Sequence, residues 1–116
     1  LVKFLNRLSE ELSLYVRQSA WLNARPKKAA RDKSEQPEPT RRERLKEEGI
    51  DQPDMPPCTE LHLVGYLFEI GPAVPAGMGE GPLTHGDIAA WMGNVGIPLT
   101  PWQARTLRRL SIDYLA

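Results

Sequence analysis

Cys58 and His62 stand four residues apart, the spacing at which a helix sets a thiol and an imidazole on one face, as a nucleophile and its base require. No third group that would orient the imidazole is identifiable nearby, and neither is an oxyanion site, so the pair reads as structural. Together with His85 and Asp87 the same two residues are the plausible metal ligands of the chain, yet no paired-ligand motif occurs. His85 is more simply the first residue of a capped helix. Gly77-Met78-Gly79-Glu80-Gly81 has the glycine density of a phosphate cradle but lacks a preceding strand and a Lys-Ser or Lys-Thr ending, and reads as a turn. No two carboxylates share an apolar setting that would push their pKa values apart. The expectation is a protein with no catalytic residue, no metal site and no cofactor.

One arrangement points to nucleic acid. A helix ending at Gly96, followed by a second helix carrying Gln103, Arg105, Thr106, Arg108 and Arg109, has the outline of a helix-turn-helix unit. Against it, Glu60, Glu69, Glu80, Asp87 and Asp113 outnumber the three arginines in the segment after Pro57, opposite to the usual basic footprint. The arginines are expected to answer the C-terminal end of their own helix dipole instead.

The elements that would position these groups can be read from capping and periodicity. The chain has 116 residues, a formal net charge of zero and one cysteine, which leaves room for one small domain, no overall bias toward polyanions and no intrachain disulfide. The longest apolar run, residues 61–70, is interrupted by His62 and Glu69 and is too short to span a bilayer. At the N-terminus, Leu1, Leu5, Leu8, Leu12, Tyr15 and Leu22 recur at helical steps, with Ser19 breaking the series, and predict an amphipathic helix over residues 1–25 that Pro26 ends. That stripe either packs on the C-terminal helices or pairs with a second copy as a homo-oligomer seam.

Residues 26–57 read as a flexible charged and Pro-rich linker. From Pro26 to Pro39 no apolar side chain exceeds Ala, and Arg25, Lys27, Lys28, Arg31 and Lys33 form a basic cluster opposed by Asp32. A short helix near residues 41–48 opens at Thr40 with Glu43 as its capping-box partner and closes at Gly49. Pro53, Pro56 and Pro57 then extend the chain into a C-terminal module, 58–116.

Three helices are expected in that module. The first starts at Thr59 and stops at Gly71-Pro72, with Leu61, Val64, Leu67 and Phe68 on one face and Leu63, Tyr66 and Ile70 widening it, which makes it the expected central helix. The second opens with a Thr84–Asp87 capping box and a Leu83–Ile88 staple and turns Ile88, Trp91 and Val95 inward. The third opens with Thr100, Pro101 and Gln103 and buries Trp102, Leu107, Leu110, Tyr114 and Leu115. The fold class is therefore expected to be all-α, a three-helix C-terminal module preceded by a disordered linker and an N-terminal amphipathic helix.

Pro53-Asp54-Met55-Pro56-Pro57, Leu63-Val64-Gly65-Tyr66, Glu69-Ile70, Gly79-Glu80-Gly81-Pro82-Leu83-Thr84, Asp87-Ile88-Ala89-Ala90-Trp91, Pro101-Trp102-Gln103, Leu107-Arg108-Arg109-Leu110 and Tyr114-Leu115 resemble the tail assembly chaperone-like proteins encoded beside the tape-measure gene of tailed phages and prophages. The resemblance runs from Thr40 to Ala116. Val64 stands where that family leads one to expect Trp, and Ser111 where it usually carries Asp. What it implies is a non-enzymatic assembly factor of the host cytoplasm, absent from the mature virion, that binds the tape-measure protein and helps recruit tail-tube subunits. Many members arise by ribosomal frameshifting, an origin in keeping with a chain that opens on Leu1. Under this reading Tyr66, Phe68, Trp91 and Trp102 are the candidate partner-binding anchors, no membrane is involved, and nucleic acid is not the expected partner. A small helix-turn-helix-like DNA-binding regulator is the alternative.

Overall fold

The computed structural model describes residues 1–26 and 37–116; the linker reading of 27–36, with the basic side chains of Lys27, Lys28, Arg31 and Lys33, lies outside the described residues. Among the described residues the chain forms five helices and one two-stranded antiparallel sheet, so the fold is mostly helical rather than all-α.

Helix α1, Val2–Asn23, buries Leu8, Leu12, Val16, Ser19 and Leu22. Ser19 therefore belongs to the stripe instead of interrupting it, since a small side chain lets a facing helix approach. Helix α2, Arg41–Glu47, carries the expected Thr40–Glu43 capping box. Its end is a full Schellman motif, in which the Ile50 amide donates to the Leu45 carbonyl (2.8 Å) and the Gly49 amide to that of Lys46 (3.0 Å). Helix α3, Leu61–Ile70, begins two residues later than the sequence suggests. Thr59 does not cap it: its amide (3.1 Å) and its hydroxyl (2.9 Å) both donate to Glu11 of α1, and Glu60 stands at the N-cap instead.

The glycine-rich segment expected as a turn is a hairpin of β1, Val74–Ala76, and β2, Gly79–Gly81, with Ala76 facing Gly79 across a two-residue turn. Gly77 takes φ +59° at the first turn position, where primed hairpin turns call for a positive value. At Gly81 a Cβ would lie 2.8 Å from that of Ala76, so only glycine permits the strands to close. Periodicity could not announce strands this short. Helix α4, His85–Val95, and helix α5, Pro101–Leu115, carry the other two Thr capping boxes as expected.

One apolar cluster unites these elements. Leu63, Val64 and Leu67 of α3, Leu83 beside the hairpin, Ile88 of α4, and Leu107 and Leu110 of α5 meet Leu12 and Val16 of α1. Helices α3, α4 and α5 pack on one another, and α1 lies along α5 and also touches α3. The stripe of α1 is thus used inside the molecule. Most of the packing runs through α5 rather than through α3, the expected centre, because α5 is the longer helix and is approached from several sides. Val95 and Leu115, both expected inside, lie near helix ends beyond the reach of a neighbour and are exposed.

Ser111 ties the hairpin to this core. Its fully buried hydroxyl accepts from the Leu83 amide (2.8 Å) and donates to the Pro72 carbonyl (2.6 Å), gripping both approaches to the hairpin. Ser111→Ala should therefore destabilise the fold by about 1–3 kcal/mol, more than a lost neutral hydrogen bond, because a buried amide is left without a partner. Urea denaturation of the two proteins checks this.

The α4 cap has a pH signature. The Thr84 amide, then the Thr84 hydroxyl, hold the Asp87 carboxyl below its ordinary value near 3.8. A depressed carboxylate contributes stability that is complete above that ordinary value and is lost as pH falls through the lower folded value. Acid titration of unfolding should show Asp87→Asn less stable than the parent at neutral pH and converging with it as pH falls through the lowered folded value of Asp87.

Candidate protein-binding surface

The four aromatic residues expected as anchors do not form one surface. Trp91 is only 8% exposed and sits in the core wall, with the Tyr66 ring tilted against it at 5.1 Å and His62 edge-on to Tyr66 at 5.6 Å. Trp102 is half-buried against the cluster. Phe68 alone of the four counts as exposed, and its ring meets Tyr114 edge-to-face at 5.6 Å on a different part of the molecule. Tyr66 and Trp91 thereby take part in packing, and Phe68 has the most exposed ring of the four.

Trp21, on α1, is the most exposed of the three tryptophans, at 52%. Arg41 from the start of α2 covers one face of its ring, the guanidinium carbon 4.6 Å from the centroid, and donates from Nη1 to the Trp21 carbonyl (3.0 Å). A contact of this kind at a surface contributes ~0.5–1 kcal/mol and holds the ring in one orientation. The Arg41 amide also donates to the Ala24 carbonyl (3.3 Å), so the chain returns from the linker directly onto the end of α1.

Trp21 separates two grooves. The first, of about 520 Å³, runs between α1 and the end of α5 and is walled by Ala20, Trp21, Ala24 and Tyr114, with Arg17 and Arg41 at its edge. Asp113 lies in its floor, 7% exposed; Oδ1 accepts from Arg17 at 3.4 Å and Oδ2 has no partner among the described residues. The second groove, of about 370 Å³, is lined by Trp21, Leu22, Leu45, Ile50 and Pro53. Its far wall is made by the Schellman contact that ends α2.

No family model, curated protein or solved structure matches the chain. The surface must speak through its own chemistry. An exposed indole held by a guanidinium, with apolar concavities on both sides, suits the capture of protruding side chains from another polypeptide. Sequence reasoning missed Trp21 because it sits off the buried stripe of α1. The available signal was its spacing of seven residues from Leu14, a second exposed apolar residue on the polar side of the same helix.

The other candidates resolve as follows. Cys58 lies outside α3, so its four-residue spacing to His62 is not helical. Burial raises its thiol pKa, with a backbone hydrogen bond at Glu60 opposing and the charges of Glu11 and Glu60 adding to the rise, the reverse of an activated nucleophile. His62 Nε2 lies 3.4 Å from Glu60. Among the described residues no three of His, Cys, Asp and Glu gather as a metal-binding set, and no helix is long and apolar enough to cross a membrane. On α5, Arg105 and Arg109 are exposed and Arg108 is half-buried. The last turn of α5 carries no basic residue, so these arginines do not cap its dipole as the sequence suggested; the helix simply continues past them.

Proposed function

We propose that this protein is a non-enzymatic assembly factor of the tail assembly chaperone kind, which binds the tape-measure protein in the host cytoplasm, assists tail-tube assembly and leaves before the virion is complete. The sequence resemblance supplies the biological setting, with α3, α4 and α5 as the three-helix unit it covers. The observation that carries the binding role is the Trp21 shelf with its two grooves, an apolar surface on a small scaffold whose other large aromatic residues are mostly committed to packing. A client presenting an amphipathic helix would lay its apolar side chains into such grooves. Co-expression with the tape-measure product encoded beside it tests the reading. Co-purification and improved solubility of that product are expected; a client that stays insoluble and does not co-purify removes the proposal.

A DNA-binding role is the second reading, favoured by one observation: no ion pair among the described residues holds Arg105, Arg108 or Arg109. A gel shift at low salt against mixed duplexes distinguishes the two. A steeply salt-dependent shift abolished by Arg105→Ala with Arg108→Ala would place DNA first.

A further inference from the structure

The groove between α1 and the end of α5 carries information about the chemistry of its occupant. Both charged side chains on its edge are guanidinium groups, Arg17, which is 60% exposed, and Arg41, and the backbone of Ala116 also lines it. The one side-chain carboxylate in its lining, Asp113, is buried in the floor and already faces Arg17. The walls are apolar and narrow, made by small Ala20 and Ala24 against the rings of Trp21 and Tyr114. Arg44 pairs with the Glu38 carboxylate, which spends that acid locally, while Arg25 donates to the Glu38 backbone carbonyl.

From this we infer that the groove receives an acidic amphipathic helix of a partner protein, one bulky apolar side chain entering between Trp21 and Tyr114 while flanking carboxylates meet Arg17 and Arg41. The inference rests on the client-binding reading and adds the chemistry by which the client is recognised. A basic helix would be repelled at the edge. A nucleic acid strand is the less suited occupant, because Arg41 already covers one face of the Trp21 ring and a base could not stack there without displacing it.

The test uses the full chain and three labelled probes followed by fluorescence anisotropy. The first is an amphipathic peptide of about 20 residues with Leu on one face and Glu on the other, long enough to form a helix when bound. The second replaces each Glu by Lys, and the third is a single-stranded oligonucleotide. Binding of the Glu peptide alone is expected, weakening with salt. Trp21→Ala should weaken it at least about tenfold, as loss of a central aromatic anchor does. Arg41→Ala should weaken it while lowering the thermal unfolding midpoint by only a few degrees, and Met78→Ala, at the fully exposed hairpin tip, should change nothing. Equal binding of the Lys peptide, no binding of either peptide, binding of the oligonucleotide in their place, or full binding by both Trp21→Ala and Arg41→Ala overturns the inference. The two readings fail separately. A tape-measure client that still co-purifies with Trp21→Ala leaves the chaperone role standing on another surface, whereas a peptide-binding groove without such a client removes only the biological role.

Discussion

Leu12→Ala combined with Val16→Ala should unfold the molecule at ambient temperature, although both residues lie in the N-terminal helix. Each side chain is fully buried in the cluster that α3, α4 and α5 share. A buried Leu→Ala change alone costs ~2–5 kcal/mol, because the cavity left behind relaxes only in part. The whole stability of a small domain is about 5–15 kcal/mol, so a second truncation beside the first uses most of it. Far-ultraviolet circular dichroism through a urea titration reads the effect. Loss of the transition for the entire helical signal is the expected result. A double variant that keeps a cooperative transition of nearly unchanged midpoint would show that α1 is an appendage and that the C-terminal helices stand alone.

Trp91→Ala should be the most damaging single change in the C-terminal half, at about 3–5 kcal/mol for an almost fully buried indole. The ring closes the wall between α3 and α4, packed against Tyr66 and beside Leu83 and Ile70. Its Nε1 has no hydrogen-bond partner among the described residues, so Trp91→Phe forfeits no hydrogen bond and should cost clearly less than Trp91→Ala. Trp102→Ala should also be milder than Trp91→Ala, since the Trp102 ring is only partly buried and leaves a smaller cavity. Chemical denaturation of the three variants ranks them. A Trp102 variant that falls furthest would show that the ring packs more deeply than its exposure indicates.

The local features of this fold were legible because each is decided within a few residues. Thr40, Thr84 and Thr100 each face an acid or amide three positions on, and all three form reciprocal capping boxes. Gly96 adopts the left-handed conformation that ends α4, as its place after an apolar period suggested. Thr59 looked like a fourth cap and is not one, because its partner, Glu11, is distant in sequence. The hairpin escaped for a related reason: its strands are three residues long, too short for alternation to register, and their closure depends on a glycine meeting Ala76 across the turn.

The same division runs through the candidate surface. Periodicity identified which residues on α1 avoid water, but not that the helix would spend them on α5 and α3 and leave Trp21 outside. Tyr66 and Trp91, candidate anchors in the sequence, lie against each other where α3 and α4 meet. Helix starts, stops and amphipathic faces follow from hydrogen bonds and side-chain spacing along a few turns of chain, and those the sequence determined. Which face finds a partner, which polar groups such as Ser111 and Asp113 are enclosed, and which indole is left beside a groove were decided only when elements far apart in sequence packed together, because burial belongs to pairs of surfaces and not to any one of them.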